Sequence, residues 1–183
     1  MMSQQNQQIQ LKNLDTQVHH HSLHRGSLGF YHYYSIIVIV EILYKAVPIT
    51  LQFDGIDSFY NNDINKPVTN IDPDEITVYS ENEQLSDEIK KVWSEWREEE
   101  DNLSEIDRAV FEKILDFIGE EENYYRNYQD EMRFEISEKG ILMSRGLPIG
   151  YIKEGVEIDE IDSSNFQNFI TSEEEFEWSM CVD

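Results

Sequence analysis

The chain has 183 residues, of which 39% are hydrophobic and 12% aromatic, and its formal net charge is −24. This length fits one domain of ordinary size, and the aromatic share is large enough to build a core. The charge argues against direct binding to DNA or RNA and against attraction to anionic lipid, because both depend on lysine and arginine.

Residues 1–28 are rich in Gln, Asn, Ser and His and show no apolar periodicity. We therefore expect a disordered, polar and His-rich tail, followed by a single acidic domain over residues 29–183. Histidines at positions 19–21 and 24 could hold a transition metal, but nothing nearby would orient their rings. A plain polar tract is the better interpretation, and we predict no metal site and no cofactor.

Residues 29–48 form the only long apolar stretch of the sequence. The β-branched run Ile36–Val40 predicts a buried strand that continues to Tyr44. A membrane anchor is the alternative, but Glu41 would cost about 3 kcal/mol near the centre of a span. Membrane insertion is therefore not expected. Residues 48–53 alternate apolar and polar side chains and predict a second strand.

Residues 54–74 have the composition of a loop, with Gly55, Pro67 and Pro73 among them. Their acidic residues lack the spacing of a calcium-binding hand, so ordinary loop chemistry is the better interpretation. Residues 76–79 predict a short strand.

The next segment of the sequence has the periodicity of helices. Ser86 is a candidate N-cap of a first helix, whose apolar face includes Ile89, Trp93 and Trp96. A second helix is expected to begin at Ser104 and to close at Gly119, with a third, more polar helix over residues 120–131.

The remaining sequence alternates in short segments. Residues 133–137, 141–144, 151–153 and 156–158, separated by turns at 139–140, 146–150 and 154–155, predict a small antiparallel meander. A short helix around 166–170 and a last strand at 176–182 complete the expected fold. The sequence thus predicts an α+β domain in which two to three helices pack on a small antiparallel sheet, after the disordered tail.

No catalytic or nucleotide-binding motif occurs, and no histidine follows His32. The protein is therefore not expected to be an enzyme. Cys181 is the only cysteine, which excludes a disulfide framework within one chain and favours a reducing, cytoplasmic compartment.

The acidic side chains are the strongest functional candidates, because residues 51–183 carry 36 acidic and 11 basic side chains. Few carboxylates have a basic residue at the favourable i+4 position, and one run falls at a predicted helix C-terminus, where anions are unfavourable. We expect a partner-binding surface made of three runs: Glu98, Glu99, Glu100 and Asp101; Glu120, Glu121 and Glu122; and Glu173, Glu174 and Glu175.

Such a surface suits a basic partner, which we expect to be a nucleic-acid-binding protein. Carboxylates on successive helical turns could replace a row of phosphates and block a nuclease or another DNA- or RNA-binding protein. In composition alone the chain resembles virus-encoded antirestriction and anti-CRISPR proteins. The alternatives are an immunity or antitoxin protein that neutralises a basic toxin, and an acidic adaptor subunit of a host complex.

Overall fold

The computed structural model describes residues 7–26, 29–61, 66–100, 102–128, 132–171 and 179–180. Its strands are β1 (Ile9–Gly26), β2 (Gly29–Tyr44), β3 (Val47–Asn61), β4 (Lys66–Tyr79), β5 (Phe134–Ile136), β6 (Ile141–Ser144), β7 (Leu147–Tyr151) and β8 (Ser179–Met180). Its helices are α1 (Glu83–Arg97) and α2 (Glu105–Tyr128), with two short 3-10 helices at Ile158–Glu160 and Phe166–Phe169. The α+β class is confirmed.

Two sheets organise the strands. The larger has the order β4-β3-β2-β1-β8, in which β1 to β4 form an antiparallel meander and β8 pairs in parallel with β1. The smaller has the order β5-β6-β7 and is the antiparallel meander predicted near the C-terminal end. Its third strand, β7, occupies most of the segment 146–150 that the sequence predicts as a turn, because the turn itself is confined to Arg145 and Gly146. Tyr151 ends β7 and Ile152 makes one bridge with Ile170, and the chain then enters the 3-10 helix Ile158–Glu160 instead of forming another strand.

The backbone divides into two compact units. The helical unit takes its described residues from Met1–His19, Ser35–Asp57 and Thr69–Arg126. The meander unit takes them from His20–Tyr34, Ser58–Val68 and Asn127–Asp183.

The core of the helical unit lies between the sheet and the two helices. Trp93 of α1 is fully buried, and its ring centroid lies 5.2 Å from that of Phe53 in β3 and 4.9 Å from that of Phe111 in α2. The indole Nε1–H of Trp93 donates to the carbonyl oxygen of Pro73 at 2.7 Å, so its polar atom is satisfied inside the core. Alternate residues of β2 provide the sheet side of this core: Ile36, Val38, Val40, Ile42 and Tyr44.

The meander unit has a separate core, made of Leu23, Leu142, Ile149, Ile161, Phe166 and Ile170. The short helix predicted around residues 166–170 is confirmed as the 3-10 helix Phe166–Phe169, and it seats Phe166 in this core. Of the last strand predicted at residues 176–182, only 179–180 lie within the described residues.

The prediction that residues 1–28 form a disordered tail is wrong for residues 9–26, which are β1. Residues 1–6 lie outside the described residues. Sequence periodicity missed this strand because its side chains are mostly exposed, with Ile9 and Leu23 the two buried ones among those described. Its pairing in the sheet relies on backbone hydrogen bonds, which every residue except proline can supply.

The loop predicted at residues 54–74 is also wrong, because β3 runs on to Asn61 and β4 begins at Lys66. Pro67 and Pro73 lie in β4, which is an edge strand of the sheet. An edge strand tolerates proline because one side of it makes no ladder hydrogen bonds.

The helix boundaries differ from the expected ones at two points. The first helix is capped by Asn82, whose side chain accepts the backbone N–H of Leu85, and Ser86 lies inside its first turn. The second helix does not close at Gly119 but continues to Tyr128, so the expected third helix is its C-terminal half. The buried side chains Phe111, Ile114 and Ile118 hold α2 on the core, which offsets the cost of about 1 kcal/mol for an interior glycine.

Candidate functional site

The acidic run at residues 98–100 forms the C-terminal cap of α1. The backbone N–H of Glu99 donates to the carbonyl oxygen of Trp96, and that of Glu100 donates to the carbonyl oxygen of Glu95. This pattern needs a left-handed residue, and Glu99 supplies it with φ of 63°, where glycine is usual. A side chain in this conformation costs about 1–2 kcal/mol, and carboxylates oppose the helix dipole there.

The expectation that this run lies at a helix C-terminus is thus confirmed. Glu98, Glu99 and Glu100 are all exposed. Asp101 lies outside the described residues.

A longer acidic row runs along the solvent face of α2. Glu112, Asp116 and Glu120 are exposed and follow one another at four-residue intervals. We call these three residues the acidic row. Each step advances about 6 Å along the helix axis, so the three carboxylates lie on one face over successive turns.

Among the ion pairs that the described residues form, none involves the acidic row. Among the α2 side chains that the structure describes, Lys113 is the one exposed cation. The ion pairs found among the described residues use other carboxylates: Glu88 with Lys45, Asp74 with Arg97, and Glu122 with Arg126. Like charges at i and i+4 destabilise a helix by a few tenths of a kcal/mol per pair.

The N-terminal end of α2 is fixed by a buried carboxylate. Asp107 is 2% exposed and accepts the backbone N–H groups of Gln8 and Ile9 at 3.0–3.1 Å. Its own backbone N–H donates to the hydroxyl of Ser104 at 3.2 Å, which is the cap expected from the sequence. Asp107 therefore ties the start of β1 to the first turn of α2.

The C-terminal half of α2 is fixed to β4. One oxygen of Glu122 accepts the backbone N–H of Ile71 at 2.7 Å, and the other accepts from Arg126 at 3.2 Å. The guanidinium of Arg126 also donates to the side-chain oxygen of Asn70 at 2.6 Å. Of the predicted run at residues 120–122, Glu122 is therefore a structural residue, while Glu120 is exposed and Glu121 is partly buried.

The structure does not bring the predicted acidic runs into one cluster. Glu105 and Glu120 lie about 22 Å apart along α2. The run at residues 98–100 lies before Glu105 in the chain, whereas the run at residues 120–122 lies in the C-terminal half of α2. Residues 173–175 lie outside the described residues. Sequence reasoning missed Glu112 and Asp116 because they are isolated along the chain, although their four-residue spacing to Glu120 was a usable signal.

A second polar cluster lies in the meander unit and joins His21, which was assigned to the tail, to His32 in β2. The Nε2 atom of His21 lies 2.9 Å from Nδ1 of His32, and Nε2 of His32 lies 2.8 Å from the Ser144 hydroxyl oxygen. That oxygen also accepts the backbone N–H of Arg133 at 3.2 Å. The ring of His21 stacks on that of Tyr34 with centroids 4.2 Å apart.

Both histidines are held neutral. Burial lowers the pKa of His32 to about 3, assisted by electrostatic repulsion from His21 in its protonated form and from Arg145. Burial also lowers the pKa of His21 to about 4, assisted by the charges of Arg145 and His20. Ser144 is fully buried, so the His32–Ser144 pair is a structural network rather than an accessible nucleophile and base.

Within the described part of the chain, no cluster of three or more His, Cys, Asp or Glu residues has the geometry of a metal site. No helix in those residues is both long and apolar enough to cross a membrane. Residues 29–44 form β2, the strand that their β-branched run predicts. Comparison with known proteins gives no family model, no curated relative and no solved structure that matches this chain.

Proposed function

We propose that the protein is a non-enzymatic inhibitor that binds the nucleic-acid-binding groove of a basic partner protein. In this proposal the acidic row takes the place of successive phosphates. The observation that carries the proposal is the exposure of Glu112, Asp116 and Glu120 on one face of a helix that hydrogen bonds fix near its start and in its C-terminal half.

Rigidity matters because a binding surface that is already ordered loses less conformational entropy when the partner docks. The buried side of α2 packs through Phe111, Ile114 and Ile118, directly beneath the row. The carboxylates of Asp107 and Glu122 hold the two halves of the helix against the chain at Ile9 and Ile71. These contacts favour a preformed charged face over a flexible acidic tail.

The charge pattern also supports binding over simple solubility. A net charge of magnitude about 2–8 keeps a small domain soluble, whereas this chain carries −24. Repulsion along the acidic row and at the cap formed by Glu98, Glu99 and Glu100 lowers the stability of the helices that carry it. A field of this strength accelerates association with a basic surface by a factor of about 10 to 1000 at low salt.

The test is affinity capture with the full chain and two matched variants. The first variant carries Glu112→Gln, Asp116→Asn and Glu120→Gln. The control removes three exposed carboxylates of the meander unit by Glu138→Gln, Glu154→Gln and Asp159→Asn. Both variants have the same net charge, so they differ only in which carboxylates are missing.

We expect the unmodified chain and the control to capture the same nucleic-acid-binding protein, identified by mass spectrometry. The acidic-row variant should associate with the captured protein at least about tenfold more slowly at low salt. Equal slowing in both variants would show that diffuse charge, and not the row on α2, drives binding. A captured partner without affinity for nucleic acid would favour the immunity or adaptor alternatives.

A further inference from the structure

A groove of about 470 Å³ lies in the helical unit, between β1 and the N-terminal half of α2. Its apolar lining consists of Leu11, Ile106, Ala109 and Val110, and these four side chains define what we call the apolar groove. Ala109 is exposed and the other three are half-buried, so solvent reaches apolar surface here. Apolar surface in a concave site is typical of binding sites. The acidic row alone does not account for it.

The walls of the apolar groove are fixed by the fold. The buried carboxylate of Asp107 accepts the backbone N–H groups of Gln8 and Ile9, and it thereby holds the start of β1 against the first turn of α2. Leu11 follows the buried Ile9 by two residues and lies on the same face of the strand, because side chains alternate along a strand. A wall that is already in place loses less conformational entropy when a partner binds.

The apolar groove is continuous with the acidic row. Ala109 lies three residues before Glu112, and positions three or four apart are neighbours on a helix surface. Glu105, which also lines the groove, precedes Ala109 by four residues. An apolar group that contacts Ala109 therefore lies within one helical turn of two exposed carboxylates, those of Glu105 and Glu112.

The charges around the apolar groove favour a cationic occupant. Among the lining residues Lys113 is the one cation, and Glu105 in the lining and Glu112 and Asp116 in the adjacent row are exposed carboxylates. The net charge of −24 for the whole chain acts in the same direction. An amphipathic anion such as a fatty acid would be repelled here, whereas a segment that carries lysine or arginine would be attracted.

We propose that the apolar groove receives an apolar side chain of the partner protein, from a segment in which lysine or arginine flanks that side chain. This inference rests on the proposed function, since the flanking cations contact the acidic row while the apolar side chain fills the groove. An apolar anchor in a pocket supplies much of the affinity, whereas exposed charges mainly accelerate association. The groove therefore lengthens the residence time of a partner that the acidic row attracts.

The test is calorimetric titration of the full chain at low ionic strength with two synthetic lysine peptides of equal length and charge. One peptide has a central leucine, and the other has serine in its place. Ala109→Gln fills the apolar groove with an uncharged side chain and keeps a good helix former at an exposed position. Gly119→Gln is the matched control, because it adds the same side chain at an exposed position of α2 where a Cβ meets nothing within 4 Å. The two positions lie about 15 Å apart along the helix.

We expect the leucine peptide to bind the unmodified chain at least about tenfold more tightly than the serine peptide. Ala109→Gln should remove this difference, and Gly119→Gln should retain it. Binding of the leucine peptide should also shift the methyl NMR signals of Ile106 and Val110. Equal affinities of the two peptides for the unmodified chain, or an equal loss in Ala109→Gln and Gly119→Gln, would overturn the proposal.

The same measurements separate this occupant from others and this proposal from the proposed function. Methyl signals of Ile106 and Val110 that shift with protein concentration alone would assign the groove to a second copy of the chain. Binding of uncharged N-acetyl-leucinamide as tight as that of the leucine peptide would assign it to a small apolar ligand, and either result overturns the proposal. In the variant with Glu112→Gln, Asp116→Asn and Glu120→Gln, both peptides should bind more weakly while the difference between them is retained. Unchanged binding of both peptides by this variant would contradict the role of the acidic row, and with it the proposed function, whereas a lost difference between the peptides contradicts the groove alone.

Discussion

The solvent face of α2 and the network of His21, His32 and Ser144 in the meander unit differ in the charge that their side chains carry. Glu112, Asp116 and Glu120 are exposed and close to like charges. His21 and His32 lose their charge through burial and share hydrogen bonds with each other and with Ser144. The first arrangement projects a field into solvent, and the second joins uncharged rings in a hydrogen-bond network around the buried His32.

This difference shows which kind of site can be predicted from the amino-acid composition. Exposed carboxylates need no partner within the chain, so a charge count and a helical spacing are sufficient to predict an acidic face. The histidine network combines residues more than 100 positions apart, such as His32 and Ser144, and only folding brings them together. The sequence could not predict it because His21 lies in a polar stretch without periodicity, and nothing there indicates that it meets His32.

The largest expected effect concerns the contact that holds the acidic helix to β1. Asp107→Ala leaves the backbone N–H groups of Gln8 and Ile9 without their carboxylate acceptor. We expect the free energy of unfolding to fall by about 2–3 kcal/mol, measured by urea denaturation. Asp116→Ala on the exposed face of the same helix is the control and should change it by less than about 0.5 kcal/mol. Equal effects would show that residues 7–9 are not part of the folded unit.

The next effect is a pH dependence of stability that arises from the neutral histidine His32. The pKa of His32 is about 3 in the folded chain and 6.5 as its ordinary value. As the pH falls below about 6.5, the unfolded chain therefore binds a proton that the folded chain does not, and stability decreases. The contribution of His32 to the free energy of unfolding should decline by about 1 kcal/mol per pH unit between about pH 6 and pH 4.

The measurement is urea denaturation of the unmodified chain and of His32→Gln at several pH values. Carboxylates titrate in both proteins, so the difference in unfolding free energy isolates the histidine. We expect the advantage of the unmodified chain to shrink as the pH is lowered. A constant difference from pH 7 to pH 4.5 would mean that His32 is not held neutral by the fold.

The smallest effect is on the stability of the acidic helix itself. Replacing Glu112, Asp116 and Glu120 by their amides removes two like-charge pairs at i and i+4. We expect thermal unfolding to show a gain of about 0.4–1 kcal/mol at low salt, which should diminish as salt is raised. A loss of stability would indicate that these carboxylates have partners within the fold, and that the row serves structure.

The fold, like the two sites, could be predicted only in part from the sequence. The apolar faces around Trp93 and Phe111 identified both helices, and the alternation in β5 and β6 identified two strands of the small meander, while most of β7 was predicted as a turn. The end of β4 was predicted as a strand at residues 76–79, but its beginning was missed because Pro67 and Pro73 indicate a loop unless the strand is known to lie at an edge. The cap at Glu99 and the turn at Arg145 were missed because both place a charged side chain where glycine or asparagine is usual.

The central claim is that the acidic row occupies a surface that otherwise binds nucleic acid. The most direct measurement is equilibrium competition, in which duplex DNA or structured RNA is titrated into the complex of this protein with its captured partner. Nucleic acid should displace the protein in proportion to its own affinity, and the acidic-row variant should be displaced at lower nucleic-acid concentrations. A ternary complex in which the partner binds both without mutual loss of affinity would contradict the claim.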